Sequence, residues 1–152
     1  MIIRSTLGAT ILEFNEFERS FDFSDQIMDD ALFEDLIIEG AIFVGASLKH
    51  ALIRKCDLYW SCFTCTDLSS AVFDANDLRG ASFRDATCVG TCFKDCDLGV
   101  GNMGVSGAIF NDAKLSDAKF HGCNLVSATF NSKTIFPIGF IPQDHGMVLR
   151  DS

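Results

Sequence analysis

The sequence lacks any continuous apolar segment long enough to cross a membrane. No run in its 152 residues approaches the ~18 apolar residues of a membrane span. The opening "MIIRSTLGAT" also lacks the apolar core of a cleavable secretion signal. We therefore expect a cytoplasmic protein with no membrane partner. Its formal net charge of −9 disfavours direct binding to nucleic acid, because nucleic-acid phosphates repel an acidic surface.

The sequence also lacks the groupings of side chains that common enzymes use. Its three histidines, His50, His121 and His145, occupy separate positions, and none pairs with a candidate nucleophile and acid. The glycine-containing stretch "GVGNMG" at residues 99–104 is better explained as an irregularity of a repeat than as a phosphate-binding loop. We predict that the protein is not an enzyme and binds no cofactor or metal.

One short motif leaves two interpretations open. In "CFTC", Cys62 and Cys65 have the spacing of a zinc-binding or redox-active pair. The alternative is a pair of reduced surface thiols. The chain has no second such motif and no βαβ pattern around this one, which favours the thiols.

What the sequence does contain is a large apolar residue at every fifth position over most of its length. "FDANDLRGASFRDA", residues 73–86, shows the pattern at Phe73, Leu78 and Phe83. Five residues turn a helix by about 500°, so these side chains would share no helical face. Five is also odd, so a strand would send Phe73 and Leu78 to opposite sides. The period therefore indicates a repeat architecture.

The period runs from Met28 to Met103 and resumes two residues late at Phe110. A small residue usually stands two positions before each large one, which suits a narrow core. The residues predicted to form that core include Phe33, Phe43, Phe63, Phe73, Leu78, Phe83, Phe93, Leu98, Phe110, Leu115, Phe120, Leu125 and Phe130.

These repeats resemble the pentapeptide-repeat family, most clearly in the "CDL", "NDL" and "CNL" triplets that end at Leu58, Leu78 and Leu125. The resemblance implies an all-β fold, a right-handed quadrilateral parallel β-helix in which four pentapeptides form one square coil. It also implies that the central Leu or Phe and the small residue two positions earlier point inward. About five coils would stack at the spacing of neighbouring strands into a rod about 26 Å tall.

The repeat divides the chain into three parts. We predict an N-terminal cap segment at residues 1–22, the β-helix at 23–135 with a two-residue frame slip near 104–109, and a C-terminal cap or tail at 136–152. Both ends need covers, because an open β-helix end exposes core and unpaired strand edges. Pro137 and Pro142 should stop further stacking, since proline has no N–H to donate.

The same register explains most of the seven cysteines as core residues. Cys56, Cys96 and Cys123 occupy the small inward position and Cys88 the large one. Cys56 and Cys96 lie two coils apart on one side, on the order of 9.6 Å, which is too far for a disulfide.

Residues twenty apart should form columns on the outer surface. Asp57, Asp77 and Asp97 form one such column. Each Asp could stabilise its own turn by accepting a backbone hydrogen bond, which is the interpretation we favour. Alternatively, the three carboxylates could together meet a basic groove on a partner.

Apolar residues also fall on outward positions. Leu32, Leu52, Val72 and Cys92 form a column that we call the apolar stripe. An apolar surface of this kind indicates an interface. Two covers are equally compatible with it: a partner or second copy of the chain, or the N-terminal segment "ILEFNEFERSF", which carries Phe14, Phe17 and Phe21 at helical spacing. Further outward apolar residues are Ile37, Ile42, Val44, Tyr59 and Trp60.

These features predict a non-enzymatic protein-binding module, an acidic rod whose outer columns contact an unidentified protein or form a homodimer. The alternative comes from the quinolone-resistance members of the family, which are held to imitate duplex DNA and bind DNA gyrase or topoisomerase. The net charge has the sign that a DNA mimic needs. However, residues 1–50 carry ten acids and three bases whereas residues 104–152 carry four of each, so the charge is uneven along the chain.

Overall fold

A computed structural model describes residues 1–14, 20–101, 104 and 106–151 of the chain. The chain winds into a right-handed quadrilateral β-helix of about six coils, an all-β fold. Among the described residues there is no helix with the length and apolar character needed to cross a membrane.

Short strands on one side of the square stack into the main sheet. Five strands, Ala31–Glu34, Leu52–Arg54, Val72–Asp74, Cys92–Lys94 and Lys119–His121, lie parallel there, one in each coil, and we call this the first side. The strands are β1 (Ile2–Ser5), β2 (Thr10–Glu13), β3 (Ala31–Glu34), β4 (Leu52–Arg54), β5 (Val72–Asp74), β6 (Cys92–Lys94), β7 (Lys119–His121), β8 (Thr129–Phe130) and β9 (Val148–Leu149). A 3-10 helix spans Pro142–His145.

Three further sides follow in chain order and are joined by single parallel bridges between coils. The second side pairs Asp57 with Asp77, the third pairs Cys62 with Ser82, and the fourth pairs Asp67 with Thr87. Every one of these pairs is twenty residues apart, because four pentapeptides complete one coil.

The large inward residues fill the centre as stacks of rings. All of the predicted core residues except Phe120 are buried; Phe120 is partly buried and packs against the core. On the third side, the rings of Phe43 and Phe63 stack at 4.7 Å and those of Phe63 and Phe83 at 5.0 Å. Rings on the opposite first and third sides meet edge to face across the core, as Phe73 and Phe83 do at 6.1 Å. Both arrangements are favourable for aromatic side chains.

After residue 98 the chain contains an insertion, and its length is seven residues when counted against the coil but only two when counted against the pentapeptide frame. Ser82 pairs with Ile109, a separation of 27 residues rather than 20. Relative to the five-residue period this is a slip of two residues, but relative to the coil it inserts seven. The ring of Phe110 therefore stacks directly on Phe83 at 5.0 Å. Phe110 thus takes the slot that the regular period gives to Met103, a position outside the described residues.

The N-terminal segment continues the main sheet. β1 and β2 form an antiparallel hairpin, and β1 pairs antiparallel with β3, with Arg4 opposite Leu32. Phe14 follows a strand and its ring packs edge-on against buried Phe23 at 5.0 Å. The helical spacing is therefore misleading at Phe14, because the free edge of β3 favours pairing with a strand; Phe17 lies outside the described residues. The hairpin covers the end of the rod by this edge pairing.

The C-terminal segment covers the other end. Phe140 contacts Phe120 at 5.4 Å and stacks on Phe136 at 5.3 Å. The expectation that the prolines end all stacking is wrong, because β9 pairs in parallel with β8 after them. Pro142 lies in the 3-10 helix, where its missing N–H breaks no strand pairing, and the chain returns to donate from Val148 N–H to the Ala128 carbonyl at 2.8 Å.

Candidate partner-binding surface

An aromatic pair, half-buried Tyr59 and exposed Trp60, lies where the second side turns into the third. Tyr59 and Trp60 stack in parallel, with ring centres 5.7 Å apart. Trp60 is the only tryptophan of the chain, and 62% of its surface is exposed. The guanidinium carbon of Arg79 lies 5.7 Å from the centre of the Tyr59 ring, which is within the range of a cation–π contact. We call Tyr59, Trp60 and Arg79 the Trp60 corner.

The backbone holds Trp60 at the corner of the coil. Trp60 has a φ of 57°, a left-handed conformation that a bulky residue rarely adopts. One coil further on, the same corner is occupied by Gly80, and a Cβ atom there would overlap Cδ1 and Nε1 of the Trp60 indole. The indole therefore lies over the backbone of Gly80, and the glycine leaves room for it.

The aspartates of the second side stabilise their own turns. Oδ1 of Asp57 accepts a hydrogen bond from the N–H of Tyr59 at 3.1 Å. Asp77 does the same for the N–H of Arg79, also at 3.1 Å, and Asp97 for that of Gly99. These are the contacts expected of the turn interpretation, which therefore needs no ligand to explain the column.

Arg79 offsets the negative charge of two aspartates in the column, Asp77 and Asp97, but not that of Asp57. Its Nε donates to Asp77 Oδ1 at 2.9 Å and lies 3.7 Å from Asp97 Oδ2. Burial opposes ionisation of Asp77, but the hydrogen bonds and charge of Arg79 outweigh it and hold the pKa of Asp77 below its usual value. Repulsion from Asp57, together with a hydrogen bond to it, raises the pKa of exposed Glu39. The negative charge is thus concentrated around Glu39 and Asp57 rather than spread evenly along the column.

Exposed aliphatic residues adjoin the Trp60 corner. Ile37 on the second side is 76% exposed, and it pairs with Asp57 of the next coil. Ile42 and Val44 on the third side are also exposed, and Ile42 pairs with Cys62. All three lie one coil before Trp60, on the two sides that meet at its corner. The combined surface is apolar and has an acidic border.

The apolar stripe occupies the first side, away from this corner. Leu32, Leu52, Val72 and Cys92 pair in sequence and are all half-buried. The neighbouring outward column carries alternating charges, and its ion pairs join Arg54 to Glu34 and Lys94 to Asp74. The stripe is therefore flanked by neutralised charge, in contrast to the acidic border of the Trp60 corner.

The cysteines contribute no recognisable metal site in the part of the chain that the structure describes. No group of three or more His, Cys, Asp or Glu side chains is placed there to hold a metal ion. All seven cysteines are free thiols; Cys62 is half-buried and Cys65 is exposed. Burial raises the pKa of Cys56 to about 11 and that of Cys88 to about 12, so both core thiols stay protonated near neutral pH.

The sequence prediction included Tyr59 and Trp60 but omitted Arg79. The signal that would have found it is the coil length, because Arg79 lies twenty residues after Tyr59 and so occupies the same outward position one coil further on. The register brings Tyr59, Trp60 and the Asp column together on neighbouring positions. It leaves the apolar stripe on a separate side.

Comparison with known proteins identifies the family to which these repeats belong. The family model for pentapeptide repeats matches eight copies over residues 27–69, 61–99 and 105–131, which is more than half of the chain. The chain belongs to the pentapeptide-repeat family. Its repeats therefore account for the β-helix, and the two caps lie outside the matched residues.

Solved structures of other pentapeptide-repeat proteins show the same fold. The protein alr5209 of Nostoc PCC 7120 is 24% identical, with 86% of each chain covered and a TM-score of 0.51. HetL, which is involved in heterocyst differentiation regulation in Nostoc sp. strain PCC 7120, is 22% identical with a TM-score of 0.56; the match covers 86% of this chain and 57% of HetL.

A third solved structure is a trypsin-treated variant of QnrB1, a plasmid-mediated fluoroquinolone resistance protein. It is 19% identical, with 85% of this chain and 77% of that chain covered and a TM-score of 0.52. No curated protein matches the chain. These likenesses show a shared architecture and no more than that.

Proposed function

We propose that this pentapeptide-repeat protein is a non-enzymatic binding module whose Trp60 corner contacts a protein partner. The supporting observation is a tryptophan that is 62% exposed although a packed core surrounds the inward residues of the same coil. Trp, Tyr and Arg are the residue types that most often dominate the energy of protein interfaces. All three meet at this corner, where the Trp60 N–H donates to the Arg79 carbonyl of the next coil at 3.0 Å. A backbone held by hydrogen bonds before binding lowers the entropic cost of association.

The border of the corner indicates the chemistry of the partner. Ile37 and Trp60 offer apolar area, and Glu39 beside Asp57 offers carboxylates that form no ion pair among the described residues. A complementary surface would place an apolar residue against Trp60 with Lys or Arg at its rim, because opposite charges at a rim speed and orient association. The partner is thus expected to present a basic, partly apolar surface.

The experiment compares Trp60→Ala with the wild type and with Val89→Ala as a matched control. Val89 is an exposed apolar residue on the fourth side, so its truncation removes apolar surface elsewhere. Proteins captured by the wild type are purified and titrated against each variant by calorimetry. We expect Trp60→Ala to weaken binding roughly 30-fold or more, equivalent to a hot spot of at least ~2 kcal/mol. Equal affinities for all three proteins would contradict the proposal.

A gyrase-directed DNA mimic is the second candidate. It is favoured by the net charge of −9 and by the architecture shared with QnrB1. It is disfavoured by Arg79, which pairs with two of the three stacked aspartates. A DNA gyrase supercoiling assay with and without a quinolone decides between the candidates. Protection that is lost when Asp57, Asp77 and Asp97 are all changed to Ala would favour the mimic, and no effect at micromolar protein would exclude it.

A further inference from the structure

A cavity of about 370 Å³ lies on the third side near the seven-residue insertion. The coils contribute Arg84, Ile109, Ser127 and Thr129 to its walls, and the C-terminal tail contributes Arg150. The remaining wall comes from the described residues of the insertion, which include Val100 and Ser106. Its volume falls within the range of pockets that hold small organic molecules.

Two arginines of this acidic protein, Arg84 and Arg150, line the cavity, and neither forms an ion pair with a carboxylate of the described residues. The chain has 21 acidic and 12 basic residues, so carboxylates outnumber the cations that could pair with them. Among the described residues, however, ion pairs are made by Lys49, Arg54, Arg79, Lys94 and Lys133 but by neither Arg84 nor Arg150. Two guanidinium groups that line one cavity give it a positive potential, which favours a bound anion.

The fold places the backbone of both arginines at this cavity although they are far apart in the sequence. Arg84 follows the third-side residue Ser82, whose bridge to Ile109 holds the coil in register. Arg150 follows β9; its N–H donates to the Phe130 carbonyl at 2.7 Å, and its carbonyl accepts from Asn111 Nδ2 at 3.2 Å. The tail that caps the rod therefore also closes one wall of the cavity.

We propose that this cavity binds a small organic oxyanion, with Arg84 and Arg150 contacting the charged oxygens. Guanidinium groups present paired N–H donors whose geometry matches phosphate and carboxylate oxygens. The hydroxyls of Ser127 and Thr129 can donate further hydrogen bonds, and Ile109 provides an apolar wall for the organic part. This site is independent of the Trp60 corner, which lies on the coils before it.

The test is a titration of the full chain, labelled with ¹⁵N, with phenyl phosphate and benzoate as probes and sodium chloride at matched ionic strength. We expect saturable shifts of the backbone signals of Ser127, Thr129 and Arg150 with at least one organic probe, and none with chloride. A response to phenyl phosphate would identify a phosphate ester as the ligand class, and a response to benzoate a carboxylate. The absence of a saturable response to both would overturn the proposal.

Two variants and a control test the role of the arginines. Arg84→Gln and Arg150→Gln should each weaken the probe at least roughly tenfold. Lys49→Gln removes the same charge from an ion pair on the fourth side and should leave the affinity unchanged. Far-ultraviolet circular dichroism checks that each variant is folded. If both arginine variants fold and bind the probe as the wild type does, the assignment of the site is wrong.

Discussion

The inward phenylalanines account for most of the packing at the scale of single residues. Phe73 is fully buried; its ring stacks on Phe93 at 5.1 Å and meets Phe63 edge-on at 5.6 Å. The small inward residue on its own side, Ala71, is also fully buried. Each coil thus combines large rings with small residues, and the core has little room to collapse around a missing ring.

Replacing Phe73 with Ala should therefore leave a cavity. We expect Phe73→Ala to lower the free energy of unfolding by about 3 to 5 kcal/mol. Val89→Ala, at an exposed position, should lower it by less than about 1 kcal/mol. Urea unfolding measures both, and a loss at Phe73 as small as that at Val89 would refute the inward register.

Burial of the Cys88 thiol should lower the stability of the folded protein at alkaline pH. Burial raises the pKa of its thiol to about 12, from an ordinary value of 9.0 in the unfolded chain. Between these values the folded protein binds the proton more tightly than the unfolded chain does, so the free energy of unfolding should fall as the pH rises above about 9. The slope from this thiol is on the order of 1 kcal/mol per pH unit.

Comparison with Cys88→Ala isolates this contribution. The variant should be less stable at neutral pH, because it loses core volume, but its stability should fall less steeply between about pH 8 and about pH 10. Urea unfolding of both proteins in the presence of a thiol reductant gives the two slopes. Parallel slopes would show that the thiol ionises as easily in the folded protein as in the unfolded chain.

At the scale of elements, the corners of the coil decide where exposed side chains stand. Gly40, Trp60 and Gly80 occupy the same corner in three successive coils, all with positive φ. Only Gly80 lies under the indole, because a Cβ at Gly40 would meet nothing within 4 Å. The two glycines thus share a backbone conformation but differ in their contact with Trp60.

This difference gives a matched pair of variants. Both Gly40→Ala and Gly80→Ala should cost about 1 to 2 kcal/mol of stability, because alanine is strained at positive φ. Only Gly80→Ala should displace the Trp60 indole and change its fluorescence maximum, an unambiguous readout because the chain has a single tryptophan. A shift of equal size in Gly40→Ala would show that strain, rather than contact, moves the ring.

The five-residue period allowed the coils to be predicted but not the elements at their ends. The inward register of Phe73, Leu78 and Phe83 depends only on the five-residue repeat, and the same repeat occurs in every coil. The β1–β2 hairpin has no period, and its position depends on the free edge of β3, a tertiary feature. The pentapeptide frame likewise could not show that Phe110 stacks on Phe83, because slips of two and of seven residues look the same at a period of five.

For the candidate sites, too, the residues within the repeats could be placed from the sequence, but the contacts of their side chains and of the C-terminal tail could not. Adding twenty to a residue number places Tyr59, Trp60 and the aspartates on their columns. The pairing of Arg79 with Asp77 and Asp97 depends on side-chain geometry, although its column could be predicted. The cavity between Arg84 and Arg150 could not, since Arg150 comes from a tail that follows the repeats.

At the scale of the whole molecule, the apolar stripe and the two rod ends are the surfaces on which copies of the chain could associate. Leu52 lies at the middle of the stripe and is half-buried. If the stripe forms a homodimer, Leu52→Glu should reduce the mass measured by light scattering to that of the monomer, because it places a charge in the contact. Thr87→Glu, at the equivalent outward position of the fourth side, is the control. An unchanged mass for Leu52→Glu would exclude the stripe as the dimer contact.

The C-terminal cap should control association through the rod end. Phe140 links the cap to the coils through contacts with Phe120 and Phe136, and His145 stacks on it at 4.5 Å. Ile138 of the same cap is fully exposed. We expect Phe140→Asp to release the cap and to expose the strand edges and rings beneath it. Because open strand edges pair with one another, the mass measured by light scattering should then rise as the protein concentration is increased. The control variant Ile138→Asp introduces the same charge without breaking a contact, so its mass should equal that of the wild type. If Phe140→Asp also has the wild-type mass, the Phe140 ring is not needed to close this end of the rod.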